Sequence, residues 1–271
     1  MERVITQGGT AVSYEKAGSG PPLVLVHGGF SDHRSNWEFV SPALQQAFTL
    51  YAIARRGRGQ TDPTRDHSVE DEGADVAAVI RHIGEPVFLL GHSYGGQCAL
   101  AAALLVPDRL MKLVVYEAPW PEALTRADVA RLEALAAIRG WDAFAAAFFR
   151  DVLSVPPDQV AALRDSPLWP PIVADAKATL GDLRALVRYQ FVTSRWRGLD
   201  VPVLLQIGSS SPRELYVTDA LAAVLPNARV DALPGQAHEG MTTAPGMYVE
   251  AVTRFLLETK GAARVAAPIL A

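Results

Sequence analysis

The chain has 271 residues, 49% hydrophobic and 20% charged, with 25 Lys and Arg against 29 Asp and Glu for a net charge of −4. That balance shows no basic excess for nucleic acid, and the lone cysteine, Cys98, excludes a disulfide framework or a cysteine-rich zinc site. The longest purely apolar run, Cys98 to Val106, stops at Pro107, too short for a bilayer, and the start Met1-Glu2-Arg3-Val4 has no apolar signal region; a cytoplasmic globular protein with no membrane partner is expected.

In chain order, Arg3–Thr6 and Ala11–Ala17 flank Gly8-Gly9 and predict an opening hairpin. Pro22–Val26 is a short apolar run that reads as a buried strand, ending at His27-Gly28-Gly29, and Phe48–Ala54 is a second. Val69–Ile83 carries Val76, Val79, Ile80 and Ile83 at helical spacing, with Gly84 as its stop. Pro86–Leu90 is again a strand, followed by a helix over Gln97–Val106; Met111–Tyr116, Val201–Ile207 and Ala228–Leu233 are further strands, and Pro245–Leu257 is a closing helix. Between Pro119 and Gly198 the strand signal vanishes in favour of helical segments at Arg126–Arg139, Trp141–Leu153, Pro157–Arg164 and Asp175–Tyr189, punctuated by Pro156-Pro157 and Pro170-Pro171.

Buried strands alternating with helices predict an α/β fold, a mostly parallel, doubly wound sheet of about eight strands with helices on both faces. The helical stretch 119–198 is expected to be a cap inserted after the sixth strand, the core being 1–118 and 199–260, and 261–271 a frayed tail.

The sharpest chemical signal is Gly91-His92-Ser93-Tyr94-Gly95-Gly96, directly after the Pro86–Leu90 strand and at the mouth of a helix. A serine on a tight strand-to-helix turn needs small residues two before and two after it, and its hydroxyl then projects at a helix N-terminus that favours a developing anion. The second signal is His27-Gly28-Gly29-Phe30 after the Pro22–Val26 strand. Acyl transfer needs two N–H donors at the forming oxyanion; Tyr94 would supply one and either Gly29 or Phe30 the other, with His27 structural.

These motifs resemble the α/β-hydrolase fold superfamily, and the resemblance covers essentially the whole chain. Ala54-Arg55-Arg56-Gly57-Arg58-Gly59-Gln60-Thr61 resembles that superfamily's D-x-R-G-x-G-x-S loop, with Ala54 at the usual aspartate; its arginines read as a solvated structural loop. The superfamily's order implies a general base late in the chain, which places it at His238, after Leu233-Pro234-Gly235; His33, His67 and His82 read as surface or loop residues and His92 as the elbow's variable position. A zinc reading of His238-Glu239 fails because residue 242 is Thr. For the acid, the loop after Val201–Ile207 offers Gly208-Ser209-Ser210-Ser211-Pro212, without a carboxylate, whereas Glu117 ends the Met111–Tyr116 strand, a placement similar to the haloalkane-dehalogenase-like branch. Glu214 and Asp219 stay as alternatives.

With Ser93 rather than an aspartate at the elbow, dehalogenation or epoxide opening through an alkyl-enzyme ester is not expected. The expected activity is a serine hydrolase acting on esters, lactones or thioesters with an apolar portion, through an acyl-enzyme and without metal or cofactor. C–C bond hydrolysis, hydroxynitrile cleavage, perhydrolysis, or a non-catalytic ligand-binding role are the competing readings. Cys98 reads as packed core, and Trp37, Trp120, Trp141, Phe144, Phe148, Phe149, Trp169 and Trp196 as either pocket walls or the cap's own core.

Overall fold

Strands that are apolar at every position can be stable only when covered on both sides, and the computed structural model, which describes residues 1–62 and 66–259, builds that arrangement. Eight strands form one sheet: β1 (Glu2–Ile5), β2 (Ala11–Gly18), β3 (Pro22–Val26), β4 (Thr49–Ala54), β5 (Val87–His92), β6 (Leu110–Tyr116), β7 (Val203–Gly208) and β8 (Ala228–Leu233), in the order β1-β2-β4-β3-β5-β6-β7-β8. The β1–β2 and β2–β4 pairs are antiparallel; from β4 to β8 every pair is parallel. Strands β3, β5 and β7 are buried throughout.

The described helices are α1 (Ser41–Leu44), α2 (Val69–Ile83), α3 (Tyr94–Leu105), α4 (Arg126–Asp151), α5 (Pro157–Arg164), α6 (Trp169–Leu186), α7 (Thr218–Ala222), α8 (Gly240–Thr243) and α9 (Pro245–Leu257). Side chains of α2, α3 and α7 pack with Val24, Leu89 and Leu205 on one face. Those of α1 and α9 pack with Leu25, Leu90 and Leu204 on the other. The doubly wound reading therefore holds. Helix α2 starts at a capping box between Ser68 and Asp71 and stops at left-handed Gly84.

Helices α4, α5 and α6 lie between β6 and β7 and form their own apolar cluster, with Leu132, Phe144, Trp169 and Leu180 at its centre. The break expected near residue 140 is a kink, where Gly140 takes φ 82° inside α4. Helix α6 begins at Trp169, earlier than the periodicity indicates, because Pro170 and Pro171 sit in its first turn, where no N–H is needed. Trp37 and Trp196 are fully buried in the core beside the sheet, as is Cys98, so neither tryptophan is a pocket wall. The expectation for 261–271 lies outside the described residues. Among the described residues no helix is long and apolar enough to cross a membrane.

Candidate active site

Strand β5 ends at His92, and Ser93 follows at φ 54° and ψ −127°, directly before α3. Non-glycine residues seldom hold a positive φ, and the surrounding packing enforces it. A Cβ on Gly95 would overlap the carbonyl groups of Val26 and His27 at the end of β3, and one on Gly96 would come within 2.9 Å of Ala118 Cβ. The elbow therefore presses its backbone against two neighbouring strand ends, and only glycine fits there. The Ser93 N–H donates to the Tyr116 carbonyl at 2.9 Å, and a Cβ on Gly28 would lie 3.1 Å from Ser93 Cβ.

Glu117 leaves β6 at φ 48° and is fully buried. Its Oε2 lies 2.7 Å from His238 Nδ1, and its Oε1 accepts the Gly208 N–H at 2.7 Å. Burial alone would raise its pKa, but the hydrogen bonds from His238 and Gly208, with the charge of His238, bring it below the ordinary carboxylate value. Burial likewise works against a charged His238, yet the hydrogen bond and charge of Glu117, with the charge of Glu239, hold its pKa above the ordinary 6.5. A carboxylate on Nδ1 selects the tautomer protonated there and leaves Nε2 as the basic nitrogen. Glu214 is exposed, and Asp219 pairs with Arg213, so neither alternative carboxylate is on His238.

Two tyrosines that sequence reasoning passed over, and His92, read there only as the elbow's variable position, hold this pair. The Tyr216 ring stacks on His238 at 5.6 Å and 12°, with its hydroxyl 3.3 Å from Nδ1; a bridge between Tyr216 and Pro119 fixes it beside the Glu117 turn. The Tyr116 hydroxyl donates to the Ala237 carbonyl and accepts the Gly240 N–H at 3.1 Å, clamping both sides of His238. Burial lowers the pKa of His92, whose Nε2 lies 3.1 Å from the His238 carbonyl, and whose Nδ1 lies 3.1 Å from Asn36 Oδ1, the acceptor of the Gly28 N–H. The elbow's variable residue thus links the base loop to the glycine loop.

In the glycine loop, His27 is structural: its Nδ1 lies 2.8 Å from the Gly28 carbonyl and its Nε2 accepts the Arg55 N–H at 3.2 Å. Phe30 must be withdrawn as an oxyanion donor, because its N–H already donates to Thr179 Oγ1 at 2.7 Å. Gly29 remains. The Tyr94 N–H belongs to the first turn of α3, where the helix itself offers no acceptor.

A second correction concerns the arginine loop. Arg55 and Arg58 are 2% and 4% exposed, far from solvated. Arg55 pairs with Glu72 at 3.0 Å and Asp182 at 2.7 Å, and Arg58 with Asp175 at 2.9 Å and Asp182 at 2.8 Å. His67 and His33 lie in loops but are buried, His67 against Glu72 at 3.0 Å, while His82 is exposed on α2. Buried charges persist only when paired and hydrogen-bonded, and here three cationic groups face three carboxylates. Donor atoms of His92, His238 and Glu239 approach within 4.8 Å of one another, as do those of His67, Glu72 and Asp182. In the first trio His238 Nδ1 is on Glu117 and His92 Nε2 faces the His238 carbonyl; in the second, Glu72 and Asp182 already accept from Arg55.

A parallel sheet with a strained serine at the fifth strand's end and a carboxylate–histidine pair beside it is the layout of a hydrolase. The model of the alpha/beta hydrolase family matches residues 23–251, and the chain belongs to that family. It is similar to the 2-(acetamidomethylene)succinate hydrolase of Mesorhizobium japonicum, 27% identical over 94% of this chain and 95% of that one. Among solved structures it resembles an alpha/beta hydrolase from Sphaerobacter thermophilus, 31% identical, with TM-score 0.78 over 94% of this chain and 99% of that one. It shares its fold with a thermophilic esterase from Thermogutta terrifontis, 24% identical, with TM-score 0.73 over 94% and 97% of the two chains.

Proposed function

We propose that the protein is a serine hydrolase that cleaves ester-type bonds through an acyl-enzyme on Ser93. In this reading His238 Nε2 takes the Ser93 proton as Oγ attacks the carbonyl, and Glu117 stabilises the imidazolium so formed. The Tyr94 and Gly29 N–H groups receive the oxyanion, each contributing about 3–4 kcal/mol to the transition state. The imidazolium then protonates the leaving group, and His238 activates water to release the acid. The observation that carries the reading is the 2.7 Å Glu117–His238 bond set beside a serine held at φ 54°.

The helical insertion is read as a cap over this site. Phe30, next to Gly29, packs on Phe148 at 4.8 Å and Phe149 at 5.3 Å. An apolar wall so close to the oxyanion loop supports an acyl substrate with an apolar portion. A fluorophosphonate probe should label wild type at Ser93 and leave Ser93→Ala unlabelled. A panel of short esters, lactones, thioesters and an acetamidomethylene dicarboxylate, assayed with both proteins, then identifies the bond cleaved. Absence of labelling together with absence of turnover across the panel would instead favour the non-catalytic binding role.

A further inference from the structure

The two peptides on either side of Gly29 are held from outside the loop, one by a side chain of the helical insertion and the other by Arg55, which that insertion seats. All peptides of the described chain are trans, so the Gly28 carbonyl and the Gly29 N–H point in opposite directions from one plane. Arg55 Nη2 donates to that carbonyl at 2.9 Å, and Arg55 Nε donates to the His27 carbonyl at 2.8 Å. Arg55 is itself seated on Asp182 of α6 by contacts of 2.7 and 3.1 Å. On the other side of Gly29, the Phe30 N–H donates to Thr179 Oγ1, also on α6, at 2.7 Å, while that hydroxyl donates to Asp175 Oδ2 at 2.8 Å. Asp175, Thr179 and Asp182 are spaced four and three apart, so one face of a single helix presents all three. Phe30 holds φ 54° between these anchors, and a Cβ on Gly29 would lie 3.2 Å from Thr179 Cγ2.

We propose that Thr179 is a positioning residue of the oxyanion hole, and that α6 sets the direction of the Gly29 N–H by holding Phe30 through Thr179 and Gly28 through Asp182 and Arg55. This rests on the serine-hydrolase reading and adds to it that the insertion is part of the catalytic scaffold rather than a passive cover. The physical reason is preorganisation: a donor aimed in advance at the developing oxyanion needs no reorientation during reaction. Charge from Arg55 on the Gly28 carbonyl also polarises the same peptide and strengthens its N–H as a donor.

The test uses the full chain carrying Thr179→Val, which keeps the volume and loses the hydroxyl, and Thr179→Ser, which keeps the hydroxyl. Second-order rates of Ser93 labelling by fluorophosphonate, kcat and KM for a short ester, and melting temperatures are measured for each. Thr179→Val is expected to lower kcat and the labelling rate about tenfold, less than the 10²–10³ of deleting a donor outright, with KM within about twofold of wild type. Thr179→Ser should recover most of that loss. Should Thr179→Val fail to fold, Thr179→Ala against Thr179→Ser makes the same comparison. A labelling rate within twofold of wild type in the hydroxyl-free variant, with only the melting temperature lowered, would overturn the proposal and leave Thr179 a structural residue. Failure of wild type itself to label would instead strike the serine-hydrolase reading.

Discussion

At the scale of single residues, the site is a set of competing forces on two ionisable groups. Burial penalises the charge on both Glu117 and His238, and their mutual hydrogen bond outweighs it, lowering one pKa and raising the other. In the proposed mechanism the unprotonated imidazole is the base, so kcat/KM should rise with pH in one step whose midpoint lies above the ordinary histidine value of 6.5. Glu117→Gln removes the charge that holds the midpoint up. Its profile should shift to lower pH and its plateau fall by about 10²–10⁴-fold, less than for Ser93→Ala, because nucleophile and base remain. A pH–rate series on both proteins checks the two effects together; an unshifted midpoint in Glu117→Gln would break the link between them. Ser93→Ala and His238→Ala should each abolish turnover with no further loss in the double variant, since the pair acts as a unit. Additive losses would assign them to separate steps.

At the scale of elements, the elbow depends on how closely β5, α3 and the end of β3 approach. Gly95 stands where any side chain would enter the carbonyl groups of Val26 and His27. Gly95→Ala should therefore destabilise the fold by about 1–3 kcal/mol in denaturant titration, and depress activity by tilting Ser93 away from the loop of Gly28. Unchanged stability in that variant would mean the backbone of β3 gives way at little cost. The approach of Gly96 to Ala118 also brings the Glu117 turn to the side of the elbow. Helix α6 illustrates the reverse dependence, in which an element of the insertion completes a loop of the core through Thr179 and Asp182.

For the whole molecule, the buried ion-pair web of Arg55, Arg58, His67, Glu72, Asp175 and Asp182 ties the insertion to the sheet. Burial opposes a charge on His67, but the facing carboxylates of Asp182 and Glu72 outweigh it and hold its pKa up at about 9. A group whose pKa is raised by folding contributes fully below its unfolded value and loses that contribution as pH rises through the folded one. Stability should accordingly fall between pH about 6.5 and about 9, by on the order of 3 kcal/mol. His67→Gln should flatten that fall, as read from melting temperatures across the range. A wild-type melting temperature constant from pH 6.5 to 9.5 would show that His67 is not charged in the fold.

Local signals determined much of this architecture. Wholly apolar strands, a capped amphipathic α2 and the glycines around Ser93 are legible because each follows from short-range sterics, periodicity or hydrogen-bond chemistry. For a carboxylate partner of His238 the sequence offered the strand-end Glu117 with Glu214 and Asp219 as alternatives, and the fold brought Glu117 to it. What it did not determine were relations between segments far apart in the chain. Arg55 reads locally as a solvated loop residue, and only the meeting with Glu72 and with Asp182, 127 positions on, gives its buried charge partners. The Phe30 N–H reads as a free donor until Thr179, 149 positions on, accepts it. Tyr216 carries no motif and His92 is only the variable position of one, and their contacts exist only because β5, β6 and the loop of His238 converge. Periodicity reports which face of an element is apolar; it contains no information on which distant charge or hydroxyl will meet that element, and those meetings decided how this site is held.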